Sequence, residues 1–158
     1  MGAMQRRKGK VYEREVARIL RGAFPAADVR RTSQADRAGN SDVIVTGSPL
    51  FEQLWLELND ARDPNPLAKL QQAEHDIELA RPSRGGVALR LPIVIWHRIR
   101  ERSHQVTTRL WVLDAIRGRP HGAFEELAEH GPLNVDLDEA AVTLDLGAFI
   151  AILKALAT

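Results

Sequence analysis

The chain has no cysteine, a single tyrosine and only 5% aromatic residues over 158 positions. Without cysteine there is neither a disulfide framework nor a thiolate metal site, which points to a reducing, cytoplasmic setting. No run approaches the roughly 18 apolar residues of a membrane span, and no signal segment opens the chain, so no membrane partner is expected. A strong charge of either sign is missing too, since 22 Lys/Arg against 21 Asp/Glu leave +1. What remains, 44% apolar and 27% charged, is ordinary for a globular protein, and the length suits one domain with a single core. Met1, Gly2 and Ala3 ahead of Met4 read as a cloning remnant, which leaves residues 4–158 as the domain.

Near-neutrality hides an uneven distribution. Residues 1–37 carry ten Lys/Arg and four Asp/Glu, residues 38–113 nine of each, and residues 114–158 three against eight. A basic end gathered on one part of a surface is the footprint of a polyanion-binding protein, and a merely solvated charge run is the other reading. The acidic end is expected to face away from nucleic acid.

Spacing at 100° per residue predicts a helix from Lys10 to about Ala23. Tyr12, Val16, Ile19, Leu20 and Ala23 form its apolar arc, and Arg14, Arg18 and Arg21 a basic stripe. Strands are predicted at 28–32, from Asp42 through SDVIVTG, and at 52–58, where alternation sets Leu54, Leu56 and Leu58 against Trp55, Glu57 and Asn59. Asn65 before Pro66 is a capping side chain with proline at the first helical position. It opens a helix to about Ala80, with Leu67, Leu70, Ala73 and Ile77 inward. Further strands are predicted at 91–97 and 108–115, separated by a basic turn holding Arg98, Arg100 and Arg102. The remainder reads as irregular, with a helical turn at Phe124–Glu129, a strand at 142–146 and an amphipathic helix over Ala148–Leu156. This order is that of an α/β domain with a mixed central β-sheet flanked by helices.

Three acids stand where such a fold wants apolar or solvated residues. Glu13 lies on the margin of the apolar arc, where a carboxylate is costly without a partner, and an ion pair with a nearby arginine is the plain explanation. Asp42 opens one apolar strand and Glu57 ends another. Carboxylates converging near strand ends are a means of holding a divalent cation for phosphodiester hydrolysis. The histidines, at 75, 97, 104, 121 and 130, have no ligand spacing and read as surface or core imidazoles.

A helix with Glu, a strand with Asp, a strand ending in Glu-x-Lys, then a helix and a strand is the layout of the PD-(D/E)xK nucleases, which this chain resembles. KGKVYER at 8–14 is similar to the KGxxxER opening of archaeal-type Holliday-junction resolvases. Arg30-Arg31-Thr32-Ser33, ending at Asp42-Val43, resembles that family's R…SG…PDI segment. PIVIWHR, TRLWVLD and a short last helix resemble phage and bacterial members, over about residues 8–115 in all. The resemblance implies a restriction-endonuclease-like fold with an αβββαβ core. It implies a metal-dependent, structure-selective endodeoxyribonuclease acting on branched DNA such as Holliday junctions, in DNA recombination and repair. Asp42, Glu57 and the Leu58 carbonyl would hold Mg²⁺, or Mn²⁺ in its place, and Glu13 would complete the catalytic set. A homodimer is implied, because a four-way junction is nearly two-fold symmetric and needs two opposed cuts. Arg6, Arg7, Lys8, Lys10, Arg14, Arg18, Arg21, Arg30 and Arg31 would grip phosphates, with Ser33 beside the scissile strand. The location implied is the cytoplasm, or the host's if a phage encodes the chain.

Two positions depart from the pattern. Ser41 replaces a proline before Asp42, where turn geometry alone is at stake. Asn59 stands in place of the lysine, whose ammonium would orient the attacking water and offset charge on the phosphate; an amide carries no charge. A tolerated variant, a catalytically silent DNA-binding relative and an inactivating substitution all remain open, as does a repair or restriction-type nuclease of the same fold. Arg62 or Lys69 could supply the cation. Gln71 or Gln72 could contact the metal-bound water or the phosphate, or be an ordinary exposed amide.

Overall fold

The computed structural model describes residues 3–32, 41–80, 90–118 and 140–156, with side chains from Lys10 onward. The helical turn expected at Phe124–Glu129, and Ser33 with the rest of 33–40, lie outside the described residues.

The first helix, α1 (Ala3–Ala23), starts earlier than its apolar arc predicts. It buries Tyr12, Val16 and Leu20, one turn apart, and gives out before Pro25, which disfavours helical backbone at the residue ahead of it. Strands β1 (Asp28–Arg31) and β2 (Val43–Thr46) pair antiparallel, with Val29 opposite Val45 and Arg31 opposite Val43. The turn after β2 uses Gly47 at φ +110, close against the Ala27 backbone, where any side chain would be strained.

The strand predicted at 52–58 begins later than its apolar run. Ser48 caps a short helix, α2 (Pro49–Gln53), by accepting from the Phe51 amide at 3.2 Å, and β3 (Leu54–Ala61) follows. The next helix, α3 (Pro66–Ala80), starts where the sequence says, with the Asn65 side chain accepting from the Ala68 amide at 3.1 Å. It is the crossover that lets β4 (Leu91–Arg98) lie parallel to β3. Leu67, expected inward, is 51% exposed, because the buried line of α3 runs through Leu70, Ala73 and Ile77.

The apolar stretch at 108–115 divides between two elements rather than forming one strand. β5 covers Gln105–Arg109 and α4 covers Leu110–Ile116, burying Val112, Leu113 and Ile116 at helical spacing. β6 (Ala141–Asp145) and α5 (Leu146–Leu156) complete the described chain. The architecture is α/β: a six-stranded mixed sheet in order β1-β2-β3-β4-β5-β6, flanked by helices, with β3–β4 its parallel pair. No described helix is long and apolar enough to cross a membrane.

The two faces of the sheet are covered unequally. On one, Val43, Leu56, Ile93 and Val106 meet α1, α2, α4 and α5 in the main core, where Phe149 and Leu153 of α5 are each 1% exposed. On the other, α3 is the one helix among the described residues, over a small cluster of Trp55, Ala73 and Ile77. Open grooves flank it, one over β1–β2 and one over β5–β6. The face that α3 covers carries the candidate site.

Candidate active site

Val43 of β2 faces Leu56 of β3, so the next antiparallel pair sets Asp42 against Glu57, on the α3 side of the sheet. Asp42 is fixed by its own Oδ2, which accepts the Leu58 amide proton at 2.9 Å. Glu57 is 6% exposed; its Oε1 accepts from the Trp55 indole at 3.0 Å and its Oε2 lies 2.8 Å from the Lys69 ammonium. Burial pushes the Glu57 carboxyl up and the Asp42 charge adds to it. Lys69 and the Trp55 hydrogen bond pull it back only in part, leaving it at about 7. Burial works to lower the Lys69 ammonium, but Glu57, Asp42 and Asp76 outweigh it and hold it above its ordinary value.

The helix that delivers Lys69 is braced on both flanks. Leu70, Ala73 and Ile77 point down, Lys69 projects toward Glu57, and Glu74 on the other flank makes a two-point pair with Arg109 of β5 at 2.7 and 2.8 Å. Asn59 shares the Glu57 face of β3, two residues further along. Arg62 is exposed beyond the strand, and Gln71 and Gln72 are exposed on α3. Of the two suggested cations, the structure places Lys69 at the carboxylates.

Glu13 is buried and bound by Arg31, whose Nη2 and Nε reach its Oε2 at 2.6 and 2.9 Å. The acid on the apolar margin thus has its arginine, though from β1 rather than from its own helix. Arg31 accordingly points at Glu13. The Thr32 amide donates to the Asp42 carbonyl at 3.0 Å, tying the end of β1 to the strand that starts the site. Among the described residues no three His, Cys, Asp or Glu side chains form a group able to hold a metal ion. The three acids are therefore not brought together: Asp42 and Glu57 pair on the α3 side of the sheet, while Glu13, on α1 against the other face, is engaged by Arg31.

Arg14, Arg18 and Arg21 are exposed on α1, as is Lys10, and Arg21 also donates to the Val29 carbonyl at 2.9 Å. Arg6, Arg7 and Lys8 belong to the first turns of α1, and their side chains lie outside the described residues. Arg30 is exposed on the α3 side, where it lines the groove over β1–β2 together with Ser41, Trp55 and Arg90. Sequence reasoning missed Arg90, because the β3–β4 register alone brings the start of β4 to that groove. Arg98, Arg100 and Arg102 are exposed, as expected. Trp96 is half-buried, donating to Thr107 Oγ1 at 2.9 Å, and Trp111 packs partly against the main core.

A second group of titratable side chains escaped the sequence reading altogether. Tyr12 of α1 stacks on His97 and His104 with ring centroids 5.0 and 5.7 Å away, and His97 Nδ1 lies 3.2 Å from Asp60. Burial, then Asp60 and Glu15, raise the Tyr12 hydroxyl above its ordinary range. No sequence spacing links residues 12, 60, 97 and 104, which meet only through the sheet. His75 is exposed, and His121 and His130 lie outside the described residues.

No protein-family model, curated protein or solved structure matches this chain.

Proposed function

We propose that this chain is a metal-dependent, structure-selective endodeoxyribonuclease of restriction-endonuclease-like fold, cutting branched DNA such as four-way junctions. The observation that carries the reading is the pairing of Asp42 with a buried Glu57 across adjacent strands. A buried Glu57 beside a half-buried Asp42 is unfavourable unless a cation shares them; Lys69 supplies one charge, and a divalent ion would supply more. The hard oxygen donors of the two carboxylates fit Mg²⁺ or Mn²⁺, and Asp42 and Glu57 would hold it with the main chain at Leu58 nearby. Such an ion supplies Lewis acidity that offsets charge on a phosphate.

The chain's own residues contribute the rest. Trp55 and the Leu58 amide lock the two carboxylates in orientation, so little reorganisation is needed when the substrate arrives. Arg30 and Arg90 flank the groove that runs to the site, and the α1 arginines offer phosphate contacts that do not read bases. A C₂ homodimer would present two such sites to the two strands of a junction.

A second reading, a DNA clamp without catalysis, is favoured by Asn59. Incubating labelled four-way junction and linear duplex with the protein and Mg²⁺ or Mn²⁺ separates the two. Paired nicks in the junction, lost in Asp42→Asn, are expected. Tight junction binding with no nick under either metal replaces the enzyme by the clamp.

A further inference from the structure

We propose that Lys69, delivered by α3, brings positive charge to the scissile phosphate in place of the lysine absent at position 59, and that its ion pair with Glu57 is the resting position from which it is released when a divalent cation takes over that carboxylate. This rests on the endonuclease reading and assigns one more residue within it.

The geometry is specific. Glu57 and Asn59 sit on the same face of β3, two residues apart, and α3 is the helix laid over that face. Lys69 Nζ is 2.8 Å from Glu57 Oε2, and its side chain is 23% exposed, so it borders solvent while touching the buried carboxylate. A long, flexible stem can carry an ammonium from a carboxylate to a neighbouring phosphate without moving the helix. The helix itself is braced from the far side by Glu74 and Arg109, which fixes the point from which Lys69 reaches. Arg62, the other suggested cation, is exposed beyond the strand. A purely structural ion pair would need none of this solvent access.

The test uses the full chain and two measurements. Junction cleavage with Mn²⁺ is compared for the parent, Lys69→Met, and Lys69→Met combined with Asn59→Lys. Loss of one charge acting in the transition state should slow Lys69→Met by about 10²–10³, and the added lysine at 59 should recover roughly tenfold or more. Asn59→Lys alone is the control: a Lys69 pair that only supports the fold would let that substitution speed the parent as much as it speeds Lys69→Met. Independently of any cleavage, acetylation of the Lys69 amine is followed by mass spectrometry with and without Mn²⁺, with the exposed Lys154 as reference. Release from Glu57 should raise Lys69 reactivity several-fold relative to Lys154.

Lys69→Met cutting as fast as the parent overturns the assignment while the endonuclease reading stands. A parent that cuts nothing removes the endonuclease reading and with it the role of Lys69 at a scissile phosphate, even if Mn²⁺ raises Lys69 labelling. Lys69 reactivity indifferent to Mn²⁺ overturns the proposal whatever the cleavage result.

Discussion

Replacing one carboxylate of the candidate site should suit this protein's stability better above neutral pH than below it. The Glu57 carboxyl sits at about 7 in the folded chain against an ordinary value of 4.5. Its folded value is the higher, so its contribution to stability is fully present below pH 4.5 and is lost as the pH rises through 7. The whole loss is about 3 kcal/mol, at 1.36 kcal/mol per pH unit of difference. Burial is the larger cause and Asp42 the second. Asp42→Asn removes that second cause but leaves a side-chain oxygen to accept the Leu58 amide. Asp42→Asn should therefore be more favourable at pH 8.5, where Glu57 is ionised in both proteins, than at pH 5, where the folded parent carries Glu57 protonated, by some part of the about 3 kcal/mol total. At pH 5 no repulsion exists to relieve, and the substitution reports the loss of the Asp42–Lys69 attraction alone. Urea denaturation of both proteins at the two pH values, in chelator, measures this difference. An effect equal at both pH values, or one less favourable at pH 8.5 than at pH 5, would refute the claim that the carboxylates repel. Relief of repulsion by removal of a site residue is the pattern expected where a fold tolerates strain for function.

Two other outcomes bear on different parts of the molecule. Phe149→Ala in α5 should cost about 3–5 kcal/mol in the same denaturation assay, because its ring is 1% exposed in the main core; a loss under about 1 kcal/mol would mean α5 is dispensable. Replacing Arg14, Arg18 and Arg21 together with alanine should flatten the plot of log junction affinity against log salt by a slope of about 2–3, read by fluorescence anisotropy; an unchanged slope would move the DNA surface to the groove holding Arg30 and Arg90.

Local chemistry was legible in the sequence wherever one side chain decides the backbone. Asn65 and Pro66 announce α3, and the β-branched run after Asp42 announces β2. Ser48 and Pro49 carried the same start signal for α2, but the apolar residues behind them suit a strand equally well. Leu110–Ile116 misled for the same reason: Leu-Trp-Val-Leu is a continuous apolar run that suits a buried strand as well as a helix, and only burial of Val112, Leu113 and Ile116 on one side distinguishes the helix. The candidate site was legible in part. Asp42 and Glu57 stood out as acids at the ends of apolar strands, and the register does bring them opposite one another. Lys69 could be named only as a cation in the neighbourhood, because its approach to Glu57 depends on how α3 is rotated over the sheet. The arginine that answers Glu13 comes from β1, a pairing the helical wheel of α1 could not contain.

The long-range pairings divide the construction of the sheet in time as well as in space. β1, β2 and β3 form one antiparallel meander of near-neighbour pairings and β4 with β5 the start of a second, while β3–β4 must wait for the crossover through α3 and β5–β6 joins strands more than thirty residues apart. Asp42, Glu57 and Lys69 all fall within residues 42–69, in the first meander and the opening turns of the crossover. Loop closure over so short a span is entropically cheap, so the site residues can meet early, before the second meander has docked. A ribosome releasing this chain would expose the carboxylate pair with its lysine while β4 was still unmade, and the later strands would serve to lock an arrangement already chosen.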